Sequence, residues 1–157
     1  QESLRSVMIQ YSAITKDDGP ALCELGALMH EESSYSELEF NPSRVIETFN
    51  AYLDNDTRAC FIASEDGKPV GLYAGYMSKY YFSDEYVAND IAWFVVKEKR
   101  GTRVGLRLLD MFEDWAKERG ASEVRIGYST DINPKAFNSL MQKRGYNLVG
   151  ANYRLER

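Results

Sequence analysis

The sequence predicts an α/β fold: one domain with a mixed, mostly antiparallel central sheet and helices on both faces. Three observations predict it. Two β-rich runs within 59–77 flank Asp66-Gly67, a dipeptide that supplies the positive φ of a tight hairpin turn. The run "NDIAWFVV" (89–96) is apolar on both faces, as a strand in the middle of a sheet must be. Within a few residues it leads into a helix over about 103–119, in which Val104, Leu108, Leu109, Phe112, Trp115 and Ala116 form one stripe.

The remaining elements are read in chain order. "MIQYSAIT" (8–15) alternates loosely and reads as a strand. Asp18 is placed as the N-cap of a helix that tolerates Pro20 in its first turn and carries Leu22, Leu25, Leu28 and Met29 at helical spacing, ending near His30. A polar loop (31–42) precedes a second amphipathic helix (42–55) with Val45, Ile46, Phe49 and Leu53 inward. After the hairpin, "YYFSDEY" (80–86) is a loop, and the long helix stops at Gly120. "SEVRIGYS" (122–129) is a strand, expected to run parallel to 89–96. Asn133 caps a short helix with Pro134 at its first position, and Gly145 ends it. "YNLVGANYRLER" reads as a closing strand broken by Gly150.

A chain of 157 residues suits one domain, assigned to 8–157, with residues 1–7 read as an expression remnant ahead of a natural start at Met8. The net charge of −5 argues against general nucleic-acid binding, which needs a basic face to displace counterions from phosphates. No apolar run reaches the roughly 18 residues of a membrane helix. Cys23 and Cys60 sit in apolar surroundings without metal-like spacing, so both read as reduced core residues in a cytoplasmic protein. With a single histidine, His30, no metal centre is expected, and His30 itself reads as a helix-terminal or rim residue. G-x-S-x-G is absent, which removes a serine hydrolase of that type.

The segment "KEKRGTRVGLR" (97–107) carries most of the functional information. It leaves a buried strand and starts a helix, whose first N–H groups lack internal partners and bear partial positive charge. An anion there gains hydrogen bonds and dipole stabilisation together. Gly101 permits close approach, Arg100 and Arg103 add charge, and a pyrophosphate is the natural fit. The plain alternative is a solvated turn with surface cations. The segment is neither a P-loop nor a G-x-G-x-x-G turn.

Together with the helix, strand and short helix C-terminal to it, this segment resembles the GNAT superfamily of acyl-CoA-dependent N-acyltransferases. The resemblance covers nearly all of 8–155 in element order. It is sharpest in "VVKEKRGTRVGLRLLDMFEDWAKERG" and "NPKAFNSLMQKRGYNLVG". The first carries the family's pyrophosphate pattern [Q/R]-x-x-G-x-[G/A], with Arg100 and Gly105 at its ends and Arg103 in place of its first glycine. The second resembles the helix that flanks the pantetheine arm, with Met141 where many relatives have a tyrosine that reprotonates the leaving thiolate.

The resemblance implies acetyl-CoA as cosubstrate and a primary amine, on a small molecule or a protein, as acceptor. It places the pyrophosphate on the turn formed by Arg100, Gly101, Thr102, Arg103, Val104, Gly105 and Leu106. The pantetheine would lie on the backbone of Phe94, Val95 and Val96, with Val95 N–H polarising the thioester carbonyl, and Asn133 close to CoA. An amine of pKa about 10.4 arrives protonated, so a base is needed; Asp90 is the first candidate, with Glu31, Glu32 and Asp84 behind it. Tyr128, Ser129 and Tyr81 are candidate acids. The aromatic and acidic stretch 78–90, including Tyr81 and Asp84, is a candidate acceptor wall, as is Glu31, or else an exposed loop. Two other functions stay open: a non-catalytic CoA-binding or partner-binding module, and an assembly protein whose β-rich C-terminus pairs across a homodimer.

Overall fold

The computed structural model describes residues 8–127 and 133–157. Five strands, β1 (Ile9–Ala13), β2 (Arg58–Glu65), β3 (Lys68–Lys79), β4 (Tyr86–Val95) and β5 (Glu123–Arg125), form one sheet in the order β1-β2-β3-β4-β5. The pairings are antiparallel except the last, where β4 and β5 run parallel. Four helices accompany them: α1 (Gly19–Glu32), α2 (Pro42–Asn50), α3 (Val104–Glu118) and α4 (Pro134–Lys143). The expected mixed, mostly antiparallel sheet with helices on both faces is what the chain forms.

The local chemistry explains most boundaries. The hairpin turns at Asp66 (φ 49°) and Gly67 (φ 80°), both in the left-handed region that a tight hairpin needs. Asn41 caps α2 by accepting the Ser43 N–H at 3.0 Å. Asp18 does not cap α1 with its side chain. Its carboxylate accepts the Thr15 N–H at 2.7 Å instead, closing a capping box around a single 3-10 turn, Lys16–Asp18. α3 and α4 end alike, with Ala121 N–H reaching Ala116 C=O at 3.0 Å and Tyr146 N–H reaching Met141 C=O at 2.9 Å.

The core lies between the sheet and its helices. Gly71, Tyr73 and Gly75 of β3 face α3, where Tyr73 stacks on Phe112 at 4.5 Å between centroids. Leu72 and Ala74 turn the other way, toward α1, whose Leu22 and Leu25 are buried. Cys60 is buried and Cys23 partly so; both are free thiols.

Three expectations need correction. α2 stops at Asn50, because the chain turns over 51–54 rather than continuing to 55. Pairing of β5 stops at Arg125, short of the expected end of that strand. Among the described residues, 146–157 form no strand, and Leu148, Val149, Tyr153 and Leu155 are exposed. A strand needs a partner edge, and a three-residue β5 offers a returning segment little to pair with. The segment is instead held by side chains: Tyr146 Oη–H donates to Glu113 at 3.0 Å, and Arg154 donates to Ser34 Oγ at 2.7 Å and lies over the Tyr35 ring.

Candidate active site

β4 and β5 pair only over Val87↔Glu123, Ala88↔Val124 and Asn89↔Arg125, then separate. Where main-chain pairing ends, a side chain takes over: Asp90 Oδ1 accepts the Gly127 N–H at 3.0 Å. Above that clip, one edge of β4 is open. Alternation decides which residues present main-chain groups to the opening. Val96 N–H donates to Val70 C=O at 2.9 Å, so Val96 and, two residues back, Phe94 face β3. Val95 and Trp93 therefore face the opening. Of the three expected backbone partners only Val95 has the required direction, and Trp93 was overlooked.

The turn beyond β4 has the shape of an anion cradle. A 3-10 turn, Lys97–Lys99, leads to Gly101 at φ 80°, and α3 begins at Val104 after Arg103, which makes no side-chain cap. The first bond inside α3 runs from Arg107 N–H to Arg103 C=O at 2.9 Å, so the amides of Gly105 and Leu106 precede it. Gly105 lies against β4: an added Cβ would sit 3.3 Å from Val95 Cγ2 and 3.7 Å from Trp93 Nε1. The Trp93 indole N–H donates to Gly105 C=O at 3.1 Å, fixing the helix start to the open strand.

The cations of this turn are already engaged. The Arg100 guanidinium pairs with Glu32 at the end of α1, donates from Nε to Val95 C=O at 3.1 Å, and lies 5.5 Å from the Phe94 ring centre. Lys99 pairs with Glu65 from the β2–β3 hairpin. Arg103 is exposed.

A cleft of about 780 Å³ joins these features. Its walls include Gly101, Thr102, Gly105 and Leu106 at the turn, Asp90 to Val95 on β4, and Gly127. α4 contributes Phe137 and Leu140, and α1 and α2 contribute Met29, His30, Val45 and Phe49. Burial holds the Asp90 carboxyl above the ordinary carboxylate range, opposed by the N–H groups of Gly127 and of Asp90 itself. A carboxylate so raised is a stronger base than one in water.

The predicted residues thus divide. Asp90, Phe94, Val95, Arg100, Gly101, Thr102, Gly105 and Leu106 all line the cleft. Val96 and Val104 are buried core residues, and Asn133 serves α4 as its cap, accepting the Ala136 N–H at 3.2 Å. Glu31 and Tyr81 are exposed outside the cleft, and Asp84 pairs with Lys79 at 3.3 Å, so the structure does not bring these three together. Tyr128 and Ser129 lie outside the described residues. Met141 is buried, so no hydroxyl stands at its place on α4. Sequence reading missed Trp93, Phe137 and the α1–α2 wall. Their apolar periodicity reads equally well as core, and only the separation of β4 from β5 turns it into a lining.

Among the described residues, no cluster of side chains suits a metal ion, and no helix is long and apolar enough to cross a membrane. The profile of the acetyltransferase (GNAT) family matches residues 25–146. No curated protein sequence matches closely. Solved structures do. The aminoglycoside N-acetyltransferase AAC(6')-Iy in complex with CoA is 16% identical, with TM-score 0.77 over 99% of this chain and 98% of that one. Glucosamine-6-phosphate N-acetyltransferase from Arabidopsis thaliana is 14% identical, with TM-score 0.74 over 95% and 98%. Ribosomal-protein-alanine N-acetyltransferase from Brucella melitensis biovar Abortus 2308 is 17% identical, with TM-score 0.71 over 96% and 99%. At these identities the likeness shows the fold, and the profile, spanning most of the chain, shows the kinship: the protein belongs to the acetyltransferase (GNAT) family.

Proposed function

We propose that the protein transfers an acetyl group from acetyl-CoA to a primary amine by direct attack within a ternary complex. One observation carries the reading. A single cleft connects the amide-rich start of α3, through the open edge of β4, to a half-buried carboxylate of raised pKa. The fit to CoA rests on the same features: the helix-start amides of Gly105 and Leu106 beside Lys99 and Arg100, and a Gly105 whose missing side chain keeps the turn close to the slot.

The amides of Gly101, Arg103, Gly105 and Leu106 and the Arg100 guanidinium hold the pyrophosphate. Val95 and Trp93 offer main-chain groups to the pantetheine, and Val95 N–H meets the oxygen on which negative charge develops. Asp90 receives the proton of the ammonium, directly or through one water. The bound thioester supplies the activated acyl group: the C–N bond forms as the C–S bond breaks, and the sulfur leaves as thiolate. With Met141 in the core, no hydroxyl stands at its place on α4; Tyr128 is the proposed donor to that thiolate, with water as the other source.

Calorimetric titration with acetyl-CoA, followed by an amine screen reading thiol release, tests the proposal. Micromolar binding and amine-dependent turnover are expected. No binding at millimolar acetyl-CoA overturns it. The commitment of Arg100 to Glu32 favours a second reading, a CoA-binding module without catalysis; binding without turnover over a broad amine panel would select it.

A further inference from the structure

The wall of the cleft formed by α1, α2 and their loop differs in chemistry from the turn. Its members include Met29, Phe40, Val45 and Phe49, continued on β4 and α4 by Trp93 and Phe137. Among the described residues that line the cleft, Asp90 is the one carboxylate. The cations of the cleft hold acidic partners of their own: Arg100 pairs with Glu32, Lys99 with Glu65, and Arg44 with Glu47 at 3.5 Å. Glu31 is exposed outside.

This arrangement restricts the guest. Each ammonium moved out of water needs a carboxylate or an equivalent set of acceptors. The cleft supplies one carboxylate and three basic side chains, Arg44, Lys99 and Arg100. An amine with three or more charges would leave most of them uncompensated. An apolar body, in contrast, gains from covering Met29, Phe40, Val45 and Phe49. Aromatic rings beside the acidic group can also take part of one ammonium's charge. The wall has one polar atom to spare: His30 Nε2 is buried without a hydrogen-bond partner, its ring tilted on Phe40 at 5.4 Å.

We propose that the acceptor is a monoamine whose single ammonium, received by Asp90, is carried on an aromatic or branched apolar body, and that polycationic amines are excluded. The inference rests on the transferase reading of the same cleft and narrows its substrate class. It also separates this protein from its aminoglycoside-acetylating structural neighbour, whose likeness at 16% identity is one of fold.

The test compares tryptamine and 2-phenylethylamine with spermidine and kanamycin. Rates are read by thiol release at saturating acetyl-CoA, and binding by calorimetric titration without any CoA. The expected kcat/KM for the two apolar monoamines exceeds that for the polycations by on the order of 100-fold, because the polycations leave charges unpaired. Binding without CoA keeps the same order. Equal or better use of spermidine or kanamycin, or no saturable binding of either apolar amine, overturns the inference. Apolar amines that bind in this order without ever being acetylated uphold the pocket chemistry and sink the transferase reading, so the two failures are distinct. A variant guards the conclusion: Thr48→Glu adds a carboxylate to the α2 rim and should improve spermidine relative to tryptamine about tenfold, the scale of one charge-assisted contact. An unmoved ratio counts against the inference.

Discussion

Replacing Glu32 by glutamine should tighten acetyl-CoA binding, because the carboxylate competes with the pyrophosphate for Arg100. In the free protein that guanidinium is held by Glu32, by Val95 C=O and by the face of Phe94. The Arg100 and Glu32 side chains are 28% and 29% exposed, so solvent screens the pair without abolishing it. An intermediate worth of about 1 kcal/mol is then appropriate, at the upper end for exposed pairs. Glutamine keeps the size and one acceptor oxygen but not the charge, so a phosphate that recruits Arg100 gives up less. The expected gain is about 0.5–1 kcal/mol, or roughly two- to fivefold in Kd. Removing the negative charge near an incoming phosphate acts in the same direction. Arg100→Ala loses a charge-assisted bond of about 1.5–3 kcal/mol, offset by the roughly 1 kcal/mol that the wild type spends in releasing Glu32. The net weakening is about 0.5–2 kcal/mol, or roughly two- to thirtyfold. The assay is calorimetric titration of both variants and of the double variant, in which the Glu32→Gln gain should shrink to the part due to direct repulsion of the phosphate. Unchanged or weaker binding by Glu32→Gln would refute the competition.

Asp90→Asn can still accept the Gly127 N–H but cannot take a proton, so kcat should fall by about 100-fold or more with acetyl-CoA affinity kept; undiminished turnover removes the assignment. Because burial raises the Asp90 pKa, the acid limb of kcat in the wild type should lie above the ordinary carboxylate range and be absent from the residual activity of the variant. With a folded pKa above the unfolded one, the contribution of Asp90 to stability is present at low pH and lost as pH rises through the raised value. Asp90→Asn should therefore gain stability relative to the wild type between acidic and neutral pH in urea melts. Gly75→Ala would put a Cβ 2.4 Å from both Asn89 O and the Phe112 ring, in a buried site where neither can retreat. A loss of about 3 kcal/mol, at the upper end for overpacking, should lower Tm by roughly 6–12 °C; a melt unchanged within error contradicts that packing. Arg144→Ala leaves Asp110 and Glu113 without their shared cation and should loosen α4 from α3 by about 1 kcal/mol, read as faster amide exchange in α4.

Much of the fold was legible because it rests on local rules. The Asp66-Gly67 hairpin, the Val104–Ala116 stripe, and the cap at Asn133 are written in adjacent residues. The closing strand at 146–157 was not, since apolar alternation states that a segment can pair and not that an edge awaits it. Arg100 and Gly101 were legible as an anion-holding turn from the strand-to-helix spacing, while Gly105 entered through the family resemblance. The pairing of Arg100 with Glu32, 68 residues away, has no local signature. The same holds for Trp93, which differs from its buried neighbours only by standing where β5 has ended. Asp90 was picked for its place on β4, while its second task, clipping Gly127, depends on a register that no spacing predicts.

That register contains one uneven step. β3 pairs Ala74 with Ala92 but Gly75 with Asp90, leaving Ile91 as an extra residue on β4. The two halves of β4 are therefore out of phase. Asp90 stands opposite Gly75, whose bare face meets Phe112, while Phe94 and Ala92 share the phase of Leu72 and Ala74. The extra residue is what lets Asp90 and Ala92, two apart in the chain, point to opposite faces of the sheet. What the cleft offers a guest is thus set by a count along one strand as much as by the letters in it.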